Sequence, residues 1–189
     1  MRNVLMIALT FCALTVFGQQ LTDNSIERKG FVFSIGASAG VVSISDSDQE
    51  VAFEKVQGGI NLPNLKLGWM LNERLAILGT FPGVIYELEG KDRSFSAFIP
   101  SVQYWFKDKW WVNGGIGLAV DGPALYEKLD GEDWNFGCAV TASTGYEIVQ
   151  KKRYALDIQT QLHLAQTFLD GNGHRDGVAF TVGIGFNWY

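Results

Sequence analysis

A nucleophilic reaction catalysed by this chain would require a serine, such as Ser143, and a histidine, such as His163. A serine hydrolase needs the hydroxyl and the imidazole within hydrogen-bond reach. If a turn centred on residues 149–153 joins two antiparallel strands, His163 should lie opposite Ala139 and Ser143 should lie near Gln159. At ~3.3 Å per residue, that offset separates Ser143 from His163 by roughly 13 Å. The spacing argues against a catalytic pair, and we expect His163 to be a hydrogen-bonding side chain of the interior.

Other ligand-binding patterns are weak. The glycine-rich pieces at 114–117 and 183–185 lack the following helix and lysine of a phosphate-binding loop. The acidic run at 46–50 lacks the twelve-residue ligand spacing of a calcium loop, although weak bridging of divalent ions to lipopolysaccharide stays open. Cys12 falls within the apolar N-terminal run, so Cys138 is left without an intramolecular partner. We therefore predict no cofactor and no metal site.

The elements that must position these residues are strands, and the segment 177–189 shows the pattern most clearly. In one frame it carries large apolar side chains, and in the other it carries small or weakly polar ones without charge. A strand facing bulk water would normally carry charged side chains on its polar face. An apolar outer face and a small inner face instead suit a barrel wall with lipid outside and a narrow lumen inside.

Seven further segments alternate in the same way. The eight predicted strands are residues 30–45, 59–71, 75–87, 94–106, 110–120, 134–148, 154–168 and 177–189. Pro63 predicts a bulge in the second strand, and Pro82 interrupts the third, whose facing stays undecided. Connections alternate between longer loops, at 45–57, 88–93, 121–133 and 169–176, and short turns. The pattern predicts an all-β, eight-stranded, antiparallel up-and-down transmembrane β-barrel.

Aromatic residues in the outward frame concentrate near the strand ends. Amphipathic rings prefer the headgroup level of a bilayer, so two aromatic girdles are expected. The predicted membrane-interface aromatics are Trp69, Tyr104, Phe106, Trp110, Trp134, Tyr146, Tyr154, Phe168 and Trp188.

The N-terminal residues have the features of a secretory signal. Arg2 precedes an apolar run, and Val16 and Gly18 are small enough for a cleavage site. The run is shorter than the roughly 20 residues of a membrane-spanning helix. We predict a signal peptide at 1–18, a flexible periplasmic lead-in at 19–29 and an outer-membrane barrel at 30–189. The formal net charge of −5 argues against nucleic acid as a partner.

The signal peptide, the eight alternating segments and the closing G-I-G-F-N-W-Y resemble the small outer-membrane β-barrel proteins of Gram-negative bacteria, including porin-like ones. The resemblance covers essentially the whole chain after residue 18. It implies insertion by the barrel-assembly machinery and contact with outer-membrane lipid and lipopolysaccharide. Some small outer-membrane barrels modify lipids, so the expected absence of enzymatic activity rests on the separation of Ser143 and His163. In such families a terminal aromatic faces outward, whereas here the outward frame ends at Trp188, one residue before Tyr189.

The lumen of an eight-stranded barrel is only wide enough for side chains to fill it. The predicted lumen polar network is Lys66, Gln103, Trp111, Asn113, Glu147, Asp157, Gln159, Gln161 and His163. Strand direction places Lys66, Glu147 and Asp157 in the turn-side half, which predicts an ion pair across the lumen.

Three functions are compatible with these sequence features. The favoured one is a non-enzymatic barrel with a filled polar lumen and a structural, surface-interaction or envelope-integrity role. The second is a narrow channel for small or hydrophobic solutes. The third is a soluble lipocalin-like carrier with its apolar faces turned inward around a ligand. The sequence specifies neither a binding partner nor an oligomeric state.

Overall fold

The alternating segments form antiparallel strands that close into a ring in the computed structural model, which describes residues 26–47, 56–88, 90–127, 134–169 and 173–189. The strands are β1 (Gly30–Asp46), β2 (Val56–Asn72), β3 (Leu75–Phe81), β4 (Gly83–Leu88), β5 (Lys91–Trp105), β6 (Trp110–Pro123), β7 (Asn135–Lys151), β8 (Tyr154–Phe168) and β9 (His174–Trp188). Strands that follow one another in the chain pair with each other, except that β3 and β4 both pair with β2 and β5. The ring closes because β1 pairs with both β2 and β9.

The strands β3 and β4 are one wall segment interrupted at Pro82. Both pair with β5, and the carbonyl of Pro82 still accepts a hydrogen bond from the Ala97 amide at 2.9 Å. Because proline has no amide hydrogen to donate, the ladder loses its regular pattern there. The wall therefore has eight segments, as predicted.

The bulge predicted at Pro63 is confirmed. Asn61 pairs with Ser38 and Asn64 with Gly36, so Leu62 and Pro63 together oppose one residue of β1. On its other side β2 pairs with β3 at residues 65–72 but with β4 only through Ile60 and Ile85. The wall is thus irregular between β2 and β4.

The assignment of faces is also confirmed. Large apolar side chains of the outward frame are exposed, including Phe31, Trp69, Val102, Ile116, Ile158 and Ile184, while their neighbours in the other frame are buried. The undecided facing of residues 75–87 is settled by Ile77 and Phe81, which are exposed, and by Leu78 and Tyr86, which are buried. This arrangement is the reverse of the lipocalin-like alternative.

Several predicted loop boundaries are wrong. β4 ends at Leu88 and β5 begins at Lys91, and these two residues pair, so most of the predicted loop at 88–93 is strand. Asp46, Asp121 and Arg175, predicted in loops, also belong to strands. Arg175 pairs with both Asp46 and Asp121 inside the barrel, so these charges do not indicate exposed loops.

Residues 26–29 differ from the flexible lead-in predicted at 19–29. The Glu27 amide donates to the Lys152 carbonyl at 2.9 Å, and Arg28 is buried. These residues therefore lie against the turn-side end of the barrel. The predicted signal peptide at 1–18 and the rest of the lead-in lie outside the described residues. Within the described ranges, no helix has the length and hydropathy needed to cross a bilayer.

Candidate functional site in the barrel lumen

The carboxylate of Glu147 is the centre of a hydrogen-bonded cluster at the turn-side end of the lumen. Glu147 is completely buried on β7. It accepts hydrogen bonds from Arg28 Nη2 at 2.7 Å, Trp105 Nε1 at 2.8 Å, Tyr189 Oη at 2.8 Å and Gln150 Nε2 at 2.8 Å. Because a buried carboxylate is costly unless it is paired and hydrogen-bonded, this set of donors makes the charge tolerable.

Side chains of the Glu147 cluster also pack against one another at the turn-side end of the lumen. The guanidinium of Arg28 lies 5.0 Å from the centroid of the Trp105 ring, and the Trp105 and Tyr189 rings meet edge to face. Tyr189 is 5% exposed, so the residue after the outward-facing Trp188 turns into the lumen. The cluster closes the turn-side mouth with aromatic rings around one ion pair.

The next level of the lumen contains Asp157 and Lys66. Asp157 accepts hydrogen bonds from Trp111 Nε1 at 3.0 Å and Asn187 Nδ2 at 2.8 Å. Lys66 donates from Nζ to Gln159 Oε1 at 3.0 Å, and its ammonium lies 3.9 Å from the Trp111 ring centroid. Trp111 thus connects the carboxylate and the ammonium, through its N–H edge and its face respectively.

The predicted ion pair of Lys66 with Glu147 or Asp157 is not formed as a direct contact, although the charges of Lys66 and Asp157 attract each other within this level of the lumen. Among the described residues, the ion-pair partner of the Glu147 carboxylate is Arg28, and Lys66 forms its polar contact with an amide. The prediction placed Arg28 in a solvated lead-in and so missed the cation that satisfies Glu147.

All nine residues of the predicted lumen network are buried. Gln103 and Asn113 are paired neighbours on β5 and β6, and Asn113 Nδ2 donates to Ser101 Oγ at 2.9 Å. Gln161 pairs with Ser143 across β7 and β8.

An apolar layer separates the two ends of the lumen. Phe95 and Ile99 are completely buried, and they pack with Val42, Val84 and alanines of β5 to β9. His163 borders this layer, with its ring 5.2 Å from that of Phe95. The filled lumen is therefore polar only in part, since bulky residues of β5 occupy the loop-side half of its interior.

Ser143 and His163 lie closer together than the sequence suggested. Ser143 pairs with Gln161 and His163 with Thr141, because the turn is confined to residues 152–153 and β7 has a bulge between Glu147 and Val149. Diagonal neighbours of this kind lie about 7–8 Å apart. In the described part of the chain, neither the Ser143 hydroxyl nor a ring nitrogen of His163 has a hydrogen-bond partner. Ser143 and His163 are therefore near each other, but they lack the hydrogen bond by which a histidine activates a serine.

A second charged cluster closes the loop-side end of the lumen. The buried Asp121 carboxylate accepts hydrogen bonds from Arg175 Nη1 at 2.6 Å, Arg93 Nη2 at 3.2 Å and Tyr86 Oη at 2.9 Å. Arg175 also contacts both carboxylate oxygens of Asp46, at 2.6 and 2.8 Å. The cluster joins β1, β4, β5, β6 and β9 across the lumen.

Sequence reasoning missed this loop-side cluster and four residues of the turn-side half, namely Arg28, Trp105, Asn187 and Tyr189. Trp105, Asn187 and Tyr189 occupy the inward frame of their predicted strands, so alternation alone identifies them. Arg28 precedes the first strand, and no local pattern indicates that it turns inward.

Outside the barrel wall the charges are solvated. Glu27 forms ion pairs with Lys29 at 2.7 Å and with Lys152 at 3.5 Å. The hydrogen bond from Lys29, followed by the charge of Lys152, holds the pKa of Glu27 below its ordinary value. Such exposed pairs contribute little to stability.

The predicted interface aromatics all face outward. Tyr146 is half-buried, and the other eight are exposed. Several form ring pairs along the outer surface, such as Trp110 with Tyr146, whose centroids are 4.9 Å apart, and Tyr154 with Phe186 at 5.5 Å.

No protein-family model and no curated protein sequence matches the chain. Among solved structures, Ail, the attachment invasion locus protein of Yersinia pestis, is similar with a TM-score of 0.52 and 13% identity, over 85% of this chain and 99% of that one. Neisserial surface protein A is similar with a TM-score of 0.52 and 14% identity, over 82% of this chain and 96% of that one. The fold is that of the small outer-membrane β-barrels. At these identities the likeness is one of fold.

Proposed function

We propose that the protein is a non-enzymatic, integral β-barrel of the outer membrane of a Gram-negative bacterium, with a closed lumen and a structural or surface-interaction role in the envelope. The filling of the lumen is the observation that carries this proposal. The Glu147 cluster, the apolar layer around Phe95 and the Asp121 cluster follow one another from the turn side to the loop side. Each level would have to be displaced before a solute could pass.

The outer surface supports the membrane location. Exposed apolar side chains surround the wall, as in Val102, Ile116 and Ile184, whereas the lumen contains the buried charges. Contiguous apolar surface of this extent is not tolerated in water but suits a bilayer. The partners that follow are outer-membrane lipid with lipopolysaccharide, and the barrel-assembly machinery during insertion.

The absence of catalysis is proposed from the arrangement of Ser143 and His163. Both are buried in the lumen, away from the lipid-facing surface, and they do not contact each other through a hydrogen bond. A lipid ester in the bilayer therefore has no access to a nucleophile at this position.

The similar structures do not identify a surface partner for this chain. A second structure of Ail holds the heparin analogue sucrose octasulfate, with a TM-score of 0.50 and 14% identity, over 85% of this chain and 99% of that one. A net charge of −5 gives this chain no general attraction for such a polyanion.

Measurement of ionic conductance across planar lipid bilayers tests whether the lumen is closed. The full chain, refolded and inserted, should give no stepwise conductance, and neither should Phe95→Ala, because the Glu147 and Asp121 clusters still close the two ends of the lumen. Regular unitary steps from the unaltered protein would contradict the proposal and favour the narrow channel. A heat-dependent shift in gel mobility in the same preparation confirms that folded barrels were present.

A further inference from the structure

Three neighbouring segments of the turn-side rim contain six basic residues in addition to Arg28. They are the segment 26–29, the turn 106–109 between β5 and β6, and residues 151–153, where β7 turns into β8. We call the six residues the basic patch: Lys29, Lys107, Lys109, Lys151, Lys152 and Arg153. The acidic residues of the same segments are Glu27 and Asp108, so the side chains of this surface carry a net positive charge.

Hydrogen bonds join the three segments into one surface. Gln150 Nε2 donates to the Asp108 carbonyl at 3.1 Å, so the turn between β5 and β6 lies beside the end of β7. The segment 26–29 joins them through Glu27, whose amide donates to the Lys152 carbonyl at 2.9 Å. The cations of the basic patch are therefore gathered at one part of the rim and are not scattered around it.

Most of the basic patch has no counter-charge within the protein. Glu27 forms ion pairs with Lys29 and Lys152. Within the part of the chain that the structure describes, no ion pair involves the other four cations, which are Lys107, Lys109, Lys151 and Arg153. Each Lys or Arg near a membrane surface favours an anionic lipid by about fivefold. Such a cluster therefore favours a ligand that carries several phosphate groups at one surface.

The basic patch lies directly beside aromatic rings of the outer surface. Lys107 follows the exposed Phe106. Lys109 precedes Trp110, whose ring centroid lies 4.9 Å from that of Tyr146. Because tryptophan and tyrosine rings prefer the headgroup level of a bilayer, the adjacent ammonium groups reach the depth of the lipid phosphates. A soluble acidic partner would not require these rings beside the charges.

The two ends of the barrel differ in charge. The connections between β1 and β2 and between β6 and β7, at residues 47–55 and 124–134, contain seven acidic residues and two lysines. An anionic lipid is therefore attracted to the turn-side end and repelled by the sequence of the loop-side connections. This difference gives the turn side a lipid preference that the loop side lacks.

We propose that the basic patch binds the phosphate groups of anionic glycerophospholipids in the leaflet at the turn side of the membrane. The four cations without an internal ion pair make the contacts, and the neighbouring aromatic rings hold the lipid at the wall. The proposal rests on the membrane location given above. It adds to that location a class of lipid and the end of the barrel that binds it.

Photo-crosslinking in vesicles tests the basic patch in the full chain. The refolded protein is reconstituted in phosphatidylcholine vesicles at physiological ionic strength. A trace of lipid with a diazirine in the acyl chain is added, either as phosphatidylglycerol or as phosphatidylcholine, and the labelled residues are mapped by mass spectrometry. At the peptides 106–110 and 146–154, phosphatidylglycerol should label about fivefold more than phosphatidylcholine. At the peptide containing Trp134 it should not exceed phosphatidylcholine.

A triple variant tests whether the cations cause this preference. Lys107→Gln, Lys109→Gln and Lys151→Gln are combined, which removes three cations without an ion pair and keeps the side chains polar. The preference for phosphatidylglycerol at the turn-side peptides should then fall by about threefold or more. The matched control combines Lys55→Gln, Lys91→Gln and Lys128→Gln, an equal change of net charge outside the basic patch, and should leave the preference unchanged.

The outcomes separate this inference from the proposed function. Equal labelling by the two lipids at the turn-side peptides, or an equal loss in both triple variants, would overturn the lipid site while leaving the membrane barrel intact. Loss of the preference when poly-glutamate is present on both sides of the membrane would assign the basic patch to a soluble acidic partner instead.

An absence of label on all outward residues of a folded sample would contradict the membrane location itself. Each variant is compared at equal heat-dependent gel mobility, which establishes that the barrel has folded. Labelling that follows the basic patch in the unaltered protein and in the control, and falls in the triple variant, is the result we expect.

Discussion

Arg175 Nη1 lies 2.6 Å from Asp121 Oδ2, and this ion pair connects β9 to β6 across the lumen. The two strands are not neighbours, since β7 and β8 separate them in the wall. Both side chains are nearly inaccessible to solvent, and Asp46 and Arg93 extend the pair into a cluster. The loop-side end of the barrel is therefore held together through its interior as well as through its wall.

Replacement of Arg175 should destabilise the barrel strongly. Arg175→Met leaves the buried Asp121 carboxylate with Arg93 and Tyr86 as its remaining partners. Loss of one partner of a buried pair costs about 3–5 kcal/mol when no other cation remains, so a loss of up to about 3 kcal/mol is expected here. Urea unfolding of the vesicle-inserted protein measures it.

Lys152→Met serves as the control for this loss. Its ion pair with Glu27 is solvent-exposed, so removal should change the free energy of unfolding by less than about 1 kcal/mol. Equal effects of the two substitutions would show that Arg175 is as solvated as Lys152, which would contradict a closed loop-side end.

Arg28→Met and Lys66→Met should lower the free energy of unfolding by different amounts, although both remove a buried cation. Arg28→Met leaves the Glu147 carboxylate buried without its cation, so a loss of about 3 kcal/mol is expected. Lys66→Met removes an ammonium whose direct contacts are an amide oxygen and a ring. Asp157 loses the attraction of that charge but keeps its hydrogen bonds from Trp111 and Asn187, and the desolvation cost of the buried ammonium disappears.

The net change for Lys66→Met should therefore stay below about 1 kcal/mol. Unfolding curves of the two variants under identical conditions make the comparison. A larger loss of unfolding free energy for Lys66→Met than for Arg28→Met would support the direct ion pair of Lys66 that the sequence predicted.

Gly177→Ala should disturb the apolar layer. A Cβ at Gly177 would lie 2.2 Å from Cζ of Phe95, whose ring is completely buried and has little room to move. Overpacking of this kind costs about 1–3 kcal/mol. Gly58→Ala is the matched control, because nothing lies within 4 Å of its added methyl group. Equal unfolding midpoints for the two variants would mean that Phe95 does not fill the lumen beside Gly177.

Alternation predicted the wall because each strand has one face in the lumen and one face outside. Phe31, Ile116 and Trp188 face outward as their frames require. The strand ends were harder to predict, since charged residues normally indicate loops. Asp121 and Arg175 are charged but lie in strands, because each satisfies the other inside the barrel. Such pairing depends on which strands oppose each other across the lumen, and a local pattern does not contain that information.

The lumen residues of the candidate site, like the wall, were predicted only in part. Gln159 and Asp157 were placed in the lumen from their frame alone, and they are buried. The partner of Glu147 was not predicted, because Arg28 precedes the first strand and carries no alternation. The offset between Ser143 and His163 was overestimated, because the turn is confined to residues 152–153 and is not centred on residue 151. The bulge between Glu147 and Val149 shifts the pairing back by one residue. Insertions of one residue change pairing without leaving a clear signature in composition.

The apolar outer face should contact lipid around a closed barrel. A comparison of boiled and unboiled outer-membrane fractions by SDS gel electrophoresis tests this expectation, because a closed barrel resists the detergent until heated. We expect the protein to be recovered in this fraction and its mobility to change on boiling. Recovery in the soluble periplasmic extract, with one mobility before and after boiling, would contradict it.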